Sequence, residues 1–202
     1  MSVRGPRLKI LRRLGASLPG LTRKSAPAAS PRPYAPGRPR RRASEYRRRL
    51  EEKQKVRFNY GVTERQMRRY LDVARHMPGR TGENLLMLLE RRLDNTVFRL
   101  GFAPTIPAAR QLVAHGHVRV GGQCVDRASY LVRVGEIISL APRARERVAL
   151  RETAEHGPVL RVPGHLRRDP DDPFGGRVVS HPARSDVPFP VSESLIVEFY
   201  AR

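Results

Sequence analysis

The chain of 202 residues has no tryptophan, a single cysteine (Cys124) and only 6% aromatic residues. One cysteine excludes an internal disulfide and a four-cysteine zinc knot. Few aromatics imply small cores, although 39% hydrophobic residues suffice for one or two modest domains. No apolar run approaches the ~20 residues of a spanning helix. Leu8 to Leu14 is interrupted by Lys9, Arg12 and Arg13, which argues against a secretory signal and leads us to expect a cytoplasmic protein. The sequence also lacks a GxxxxGK[ST] phosphate loop, a Gly-x-Ser-x-Gly elbow and a supported pair of carboxylates, so no catalysis is expected.

Acidic residues are scarce where basic ones are dense. Residues 1–50 hold 15 Lys/Arg against one acid, Glu45, and so carry +14 of the net +21. Residues 151–202 hold 7 against 8 and are nearly neutral. Such a charge attracts polyanions and repels copies of itself, which makes nucleic acid the expected partner, with no membrane and no stable free homo-oligomer. Residues 1–43 are rich in Pro, Arg, Ala and Gly. They are expected to be a disordered basic extension, unable to bury enough apolar area to offset ordering entropy.

Helical signals begin at Ser44, a candidate N-cap, with Tyr46, Leu50 and Phe58 on one stripe and Gly61 as the stop. Thr63 and Gln66 form a capping-box pattern, flanked by Val62 and Met67 in staple positions; Pro78-Gly79 ends this second helix. Thr81 caps a third, in which Leu85, Leu86, Leu89, Leu93 and Val97 keep helical spacing. After Thr105 a short helix places Ala108, Ala109, Leu112 and Val113 inward and leaves Arg110, Gln111 and His115 outward. His117–Val120 and Gln123–Asp126 alternate around Gly121-Gly122, whose positive φ angles suit a two-residue hairpin. Leu131–Leu140 supplies further strand, with a turn at Val134-Gly135. Beyond Leu140 no period is clear, and Pro158, Pro163, Pro170 and Pro173 break up the segment.

From Arg92 to Leu140, Ala109-Arg110-Gln111-Leu112 on the short helix and His115-Gly116-His117 at its exit resemble the small RNA-binding module named after the fourth protein of the bacterial small ribosomal subunit. The flanks extend the likeness to the S-four ribosomal family itself. They are Pro33-Tyr34-Ala35-Pro36-Gly37, Ser44-Glu45-Tyr46, Leu50 to Lys55, Phe58-Asn59-Tyr60-Gly61, Leu89 to Arg99, and Ser192 to Tyr200. Gly121 stands where the family usually has asparagine, and the zinc knot of some members is missing.

The resemblance implies an α+β fold. A small helical domain (44–91) is closed by a C-terminal helix, with 190–202 packing back on it. The RNA-binding module of two short helices and a small antiparallel sheet (92–154) is inserted, and an irregular Pro-rich segment (155–189) is attached to the module. It also implies a structural constituent of the small ribosomal subunit. Such a protein binds small-subunit (16S) ribosomal RNA at a helix junction and nucleates assembly of the subunit body. It neighbours the fifth small-subunit protein and the messenger-RNA entry region and bears on translational accuracy; some members repress their own messenger.

Spaced arginines on rigid helices suit recognition of folded RNA, because each guanidinium can grip phosphate with a planar fork. The candidate RNA contacts are Arg40, Arg41, Arg42, Arg47, Arg48, Arg49, Lys53, Lys55, Arg68, Arg69, Arg91, Arg92, Arg110, Gln111, His115, His117 and Arg119. Some of these arginines could instead pair with Glu51, Glu52, Glu64 or Glu90. Two rival chemistries are disfavoured. Arg92-Leu93-Asp94 is similar to the catalytic tripeptide of pseudouridine synthases, but it sits in a leucine-period helix with no catalytic domain after it; Asp94 reads better as an exposed or ion-paired acid. His115, His117 and Cys124 could ligate zinc only if the strand has begun by His115, so no metal and no cofactor is expected. A stand-alone RNA-binding quality-control factor would lack both the Tyr34–Gly37 region and the Leu195–Tyr200 ending.

Overall fold

The computed structural model describes residues 6–24 and 44–201. The expectations for Tyr34–Gly37 and for Arg40, Arg41 and Arg42 lie outside the described residues. Within 1–43 the expectation of disorder is corrected for one stretch. Arg7–Leu14 forms helix α1, ended by Gly15 at φ 59°. Leu11, Leu14, Leu18 and Leu21 are buried in the core. Their spacing puts four leucines on one side of an otherwise basic segment, and that apolar area offsets the ordering cost.

Helices α2 (Glu45–Tyr60), α3 (Glu64–Arg75) and α4 (Thr81–Glu90) follow, and α9 (Glu193–Tyr200) packs back on α2 and α4. The caps of α2 and α3 behave as read, whereas Thr81 is the first residue of α4 and not its cap: Arg80 holds the N-cap position and makes no side-chain cap bond. Ser44 Oγ accepts from Arg47 N, Thr63 and Gln66 close a full capping box, and Gly61 ends α2 at φ 60°. The buried face of α2 differs from the expected stripe. Lys53, Val56, Asn59 and Tyr60 point inward, whereas Tyr46 is 58% exposed. Lys53 can occupy that face because its ammonium reaches Glu64 at 3.3 Å and lies 4.1 Å from the centroid of the Phe199 ring.

The third helix is not continuous. It breaks at Arg91-Arg92, and Leu93–Arg99 starts afresh as α5. The loop at 128–132 captures the backbone there. Leu93 N and Asp94 N donate to Tyr130 O and Ala128 O, and Val132 N donates to Arg91 O. Helix α6 (Ile106–Ala114) is capped by Thr105, with Pro107 in its first turn.

Strands β1 (Val118–Val120), β2 (Gln123–Cys124), β3 (Ile137–Leu140), β4 (Leu166–Arg168) and β5 (Gly175–Val178) form one antiparallel sheet in the order β2-β1-β3-β5-β4. The β1–β2 hairpin turns at Gly121 and Gly122, φ 56° and 83°. Two short helices, α7 (Pro142–Arg145) and α8 (Val148–His156), link β3 to β4. The segment 155–189, expected to be irregular, thus contributes two of the five strands. Val118, Val120, Ile138, Leu140, Leu166 and Val178 face inward. Gly176 lets β5 close on Leu100, whose Cδ2 would lie 2.6 Å from a Cβ at that position. The buried side chains form one contiguous core from Leu11 to Ile196. The α+β class, with helices and a small antiparallel sheet, is as expected.

Candidate nucleic-acid interface

Two carboxylates at the α4–α5 break organise the charged interior. Asp94 is fully buried; it accepts from Arg92 Nε and Nη2 at 3.0 and 2.7 Å and from Arg110 Nε and Nη2 at 3.0 and 2.6 Å. Arg92 is 1% exposed and also donates to Tyr70 Oη at 2.6 Å, tying α3 to the same point. Burial works against the Arg92 charge, but Asp94 more than offsets this and holds the guanidinium above its ordinary pKa. Glu90 accepts from Tyr60 Oη at 2.5 Å and Asn95 Nδ2 at 2.8 Å, with Arg99 Nε 3.6 Å away. Burial first, then the Glu90 charge, raise the Tyr60 phenol far above its usual pKa.

These contacts correct two expected RNA contacts. Arg92 is a buried structural residue. Arg110 does not point freely outward, because besides Asp94 it donates to Gly61 O at 2.8 Å and Tyr60 O at 3.1 Å. It therefore links α6 to the exposed-carbonyl end of α2. Asp94 is an ion-paired acid, one of the two readings the sequence offered for it. Lys53 is likewise buried and paired with Glu64. Lys55 meets Glu52, Arg49 meets Glu198 and Glu45, and Arg91 Nε donates to Val132 O.

Other predicted residues reach the surface. Arg47, Arg48, Arg68, Arg69, Gln111 and His115 are exposed; His117 and Arg119 are half-buried. Arg47 carries an i,i+4 pair with Glu51 at 66% exposure, a weak tie in solvent. Arg65 and Arg69, one turn apart on α3, line an open groove of about 370 Å³ with Thr63, Gln66, Arg92, Arg110, Ala128 and Ser129. The groove joins the helical part to the loop after β2. The sequence reading missed Arg65, whose signal was its i,i+4 relation to Arg69 on the polar side of the capped helix. Arg68 lies apart, with Tyr46, Arg49, Arg75 and Phe199 around a second cavity of about 460 Å³.

At the exit of α6, His115 and His117 meet edge to face, with centroids 6.1 Å apart. Burial, with Arg147 and His115 adding to it, lowers the His117 pKa, so its ring is neutral near pH 7. Its Nε2 is buried without a partner among the described residues. The two rings, Gln111 and Arg147 border a mainly apolar hollow of about 280 Å³ between α6 and α8. Cys124 is exposed, with Sγ 3.4 Å from Gly116 O. No group of three potential ligands is placed to hold a metal among the described residues. No helix among them is long and apolar enough to cross a membrane.

A capped helical layer tied by buried ion pairs to a helix–hairpin unit, with a basic groove between them, fits a nucleic-acid-binding class of protein. Residues 91–138 match the S4 domain, and residues 2–90 match the Ribosomal protein S4/S9 N-terminal domain. The chain is 54% identical to the small ribosomal subunit protein uS4 of Nostoc punctiforme and to that of Synechococcus elongatus. It is 49% identical to that of Prochlorococcus marinus. Each comparison covers 98% of this chain and 97% of the relative. The chain belongs to the uS4 family of small-subunit ribosomal proteins, a family not known as enzymes.

Proposed function

We propose that this protein is a structural constituent of the small ribosomal subunit, cytoplasmic with it, and a primary binder of small-subunit (16S) ribosomal RNA that nucleates assembly of the subunit body. The observation that carries the reading is the Arg65/Arg69 groove, braced from below by Arg110 and Asp94. The brace fixes the Arg92 and Arg110 guanidiniums at the floor of the groove, and helix α3 sets Arg65 and Arg69 one turn apart on its rim. That favours a folded RNA of defined backbone shape over an unstructured strand, since duplex RNA is recognised by shape and by phosphate and 2′-hydroxyl contacts. A role in translational accuracy, contact with the fifth small-subunit protein and proximity to the messenger entry region belong to the same proposal through family membership.

The test is binding of the full-length protein to in vitro transcribed small-subunit ribosomal RNA across a salt series. With about six phosphates neutralised, the slope of log affinity on log salt is roughly −4 to −5, at ~0.7–0.9 per contact. Arg65→Ser/Arg69→Ser makes that slope shallower by about 1.4–1.8. Tight binding with a slope near zero, or a groove variant that binds like the parent, would sink the proposal.

A further inference from the structure

The last quarter of the chain is nearly neutral by composition, yet its charges are sorted by place. Several of its carboxylates are occupied within the protein, while Glu152, Glu155 and Asp171 have no ion pair among the described residues. Asp186 accepts from Ala183 N and Gly164 N and faces His165 Nδ1 at 2.9 Å. Glu193 pairs with Arg184, Glu198 with Arg49, and Asp172 with Arg145 while also accepting from Phe174 N. Arg167 and Arg177 are exposed and have no ion pair or side-chain hydrogen bond among the described residues.

The sheet register brings these two together. Arg167 on β4 stands directly opposite Arg177 on β5, and Arg177 stands opposite Ile137 on β3. Arg119 on β1 opposes Ser139 on β3, so by the period-2 rule it shares that open face. Facing residues on antiparallel strands lie about 4.5–5.5 Å apart at Cα. Like charges directly opposite one another oppose sheet formation. Asp169 and Asp172 stand at the end of this face beside Gly175, where a Cβ would lie 3.2 Å from Asp169 Cβ. Asp169 accepts from Asp171 N, and Asp172 holds Arg145. Ile137, 46% exposed, adds an apolar spot between the arginines.

We infer that the open face of the sheet, Arg119–Ile137–Arg177–Arg167, is a second RNA-backbone contact surface, distinct from the Arg65/Arg69 groove. Phosphates placed across β5 and β4 relieve the arginine–arginine repulsion that no ion pair among the described residues neutralises. The guanidinium forks and the intervening isoleucine fit a ribose–phosphate edge. The inference rests on the RNA-binding reading above and adds the face that reading did not use.

The experiment compares full-length parent, Arg167→Ser/Arg177→Ser and Arg167→Lys/Arg177→Lys for binding to in vitro transcribed small-subunit ribosomal RNA in a salt series, alongside thermal melting. The serine double variant is expected to bind about 20–60-fold more weakly at 0.1 M salt, with a slope shallower by about 1.4–1.8. Its melting midpoint does not fall, because a like-charge pair has been removed. The lysine variant keeps the parental slope. Unchanged affinity and slope in the serine variant overturn the inference, as does a lysine variant that loses as much binding as the serine one. A serine variant that binds RNA normally but is not taken into reconstituted subunits would assign the face to a protein partner and overturn it too. If the parent itself fails to bind this RNA, the functional reading falls and this inference falls with it. If the parent binds and only the Arg65/Arg69 variant is impaired, this inference alone fails.

Discussion

Asp94→Asn is the most informative single change, because one oxygen pair serves two arginines in different elements. The substitution keeps shape and removes the charge, leaving Arg92 buried at 1% exposure with only the Tyr70 hydroxyl and a neutral amide beside it. Breaking a buried ion pair by neutralising one partner costs about 3–5 kcal/mol. Arg110 adds less, since its side chain is 30% exposed and solvent screens the loss. A domain of this size loses about 2–4 °C of melting temperature per kcal/mol, so Asp94→Asn lowers the midpoint by roughly 6–20 °C. Arg110→Met removes the partly exposed arm and its bonds to the Tyr60 and Gly61 carbonyls, at about 1.5–2 kcal/mol, the low end for charged hydrogen bonds. The assay is thermal melting by circular dichroism, with parent, both single variants and the double variant in one buffer. The double variant should cost less than the sum of the singles, since both remove the same 2.6 Å contact. A midpoint for Asp94→Asn within about 2 °C of the parent would refute the claim that this carboxylate holds the two layers together.

Three further outcomes follow from packing and charge. Deleting residues 1–43 lowers the melting midpoint and broadens the transition, because Leu11, Leu14, Leu18 and Leu21 are buried, and Leu18→Ala alone costs about 2–5 kcal/mol in a denaturant titration. Gly101→Ala is destabilising by about 2–5 kcal/mol in the same titration, since φ is +87° and the new Cβ would sit 2.6 Å from Pro158 N. Burial raises the Asp186 pKa, but the Ala183 amide and His165 more than offset it and the net shift is downward. A depressed carboxyl stabilises the fold above its unfolded value and loses that effect as pH falls through the folded one. The melting gap between parent and Asp186→Asn is therefore widest near neutrality and closes below about pH 4.

Local chemistry was readable; distant capture was not. The Thr63/Gln66 capping box and the Gly121-Gly122 hairpin are each decided within four residues, and both form as the sequence indicates. The break between α4 and α5 is invisible to periodicity, because Leu85, Leu89, Leu93 and Val97 keep helical spacing straight across it. What breaks the helix is a set of backbone bonds from a loop more than thirty residues on. Strand β5 begins Gly175-Gly176, a poor strand signal, and it is a strand because bare glycine lets it approach Leu100. Helix α1 was legible in its leucine spacing, but composition over a 43-residue window concealed it. Arg110 was placed on the right helix with the wrong partner: its acid lies 16 residues earlier, on an element the sequence alone runs past.

The arginines thus fall into two populations that composition cannot separate. Arg92, Arg99 and Arg110 sit over Asp94 and Glu90, where low polarity strengthens each contact and makes losing it costly. Their positive charge is neutralised inside the protein, so it contributes little to the field that an RNA meets. Arg48, Arg65, Arg68, Arg69, Arg167 and Arg177 lie on the outside, where a pairing between two side chains in water would be worth little. A phosphate backbone differs from such a partner in one respect: binding it also releases condensed counterions, a gain no internal carboxylate provides. The inward pairing of carboxylates therefore has a physical consequence for these outer faces. Every carboxylate held in the interior or on a cap is one that does not compete with phosphate for an outer guanidinium. The same residue type serves as a structural bolt where an acid is buried beside it, and where none is it stays available for the RNA contact proposed above.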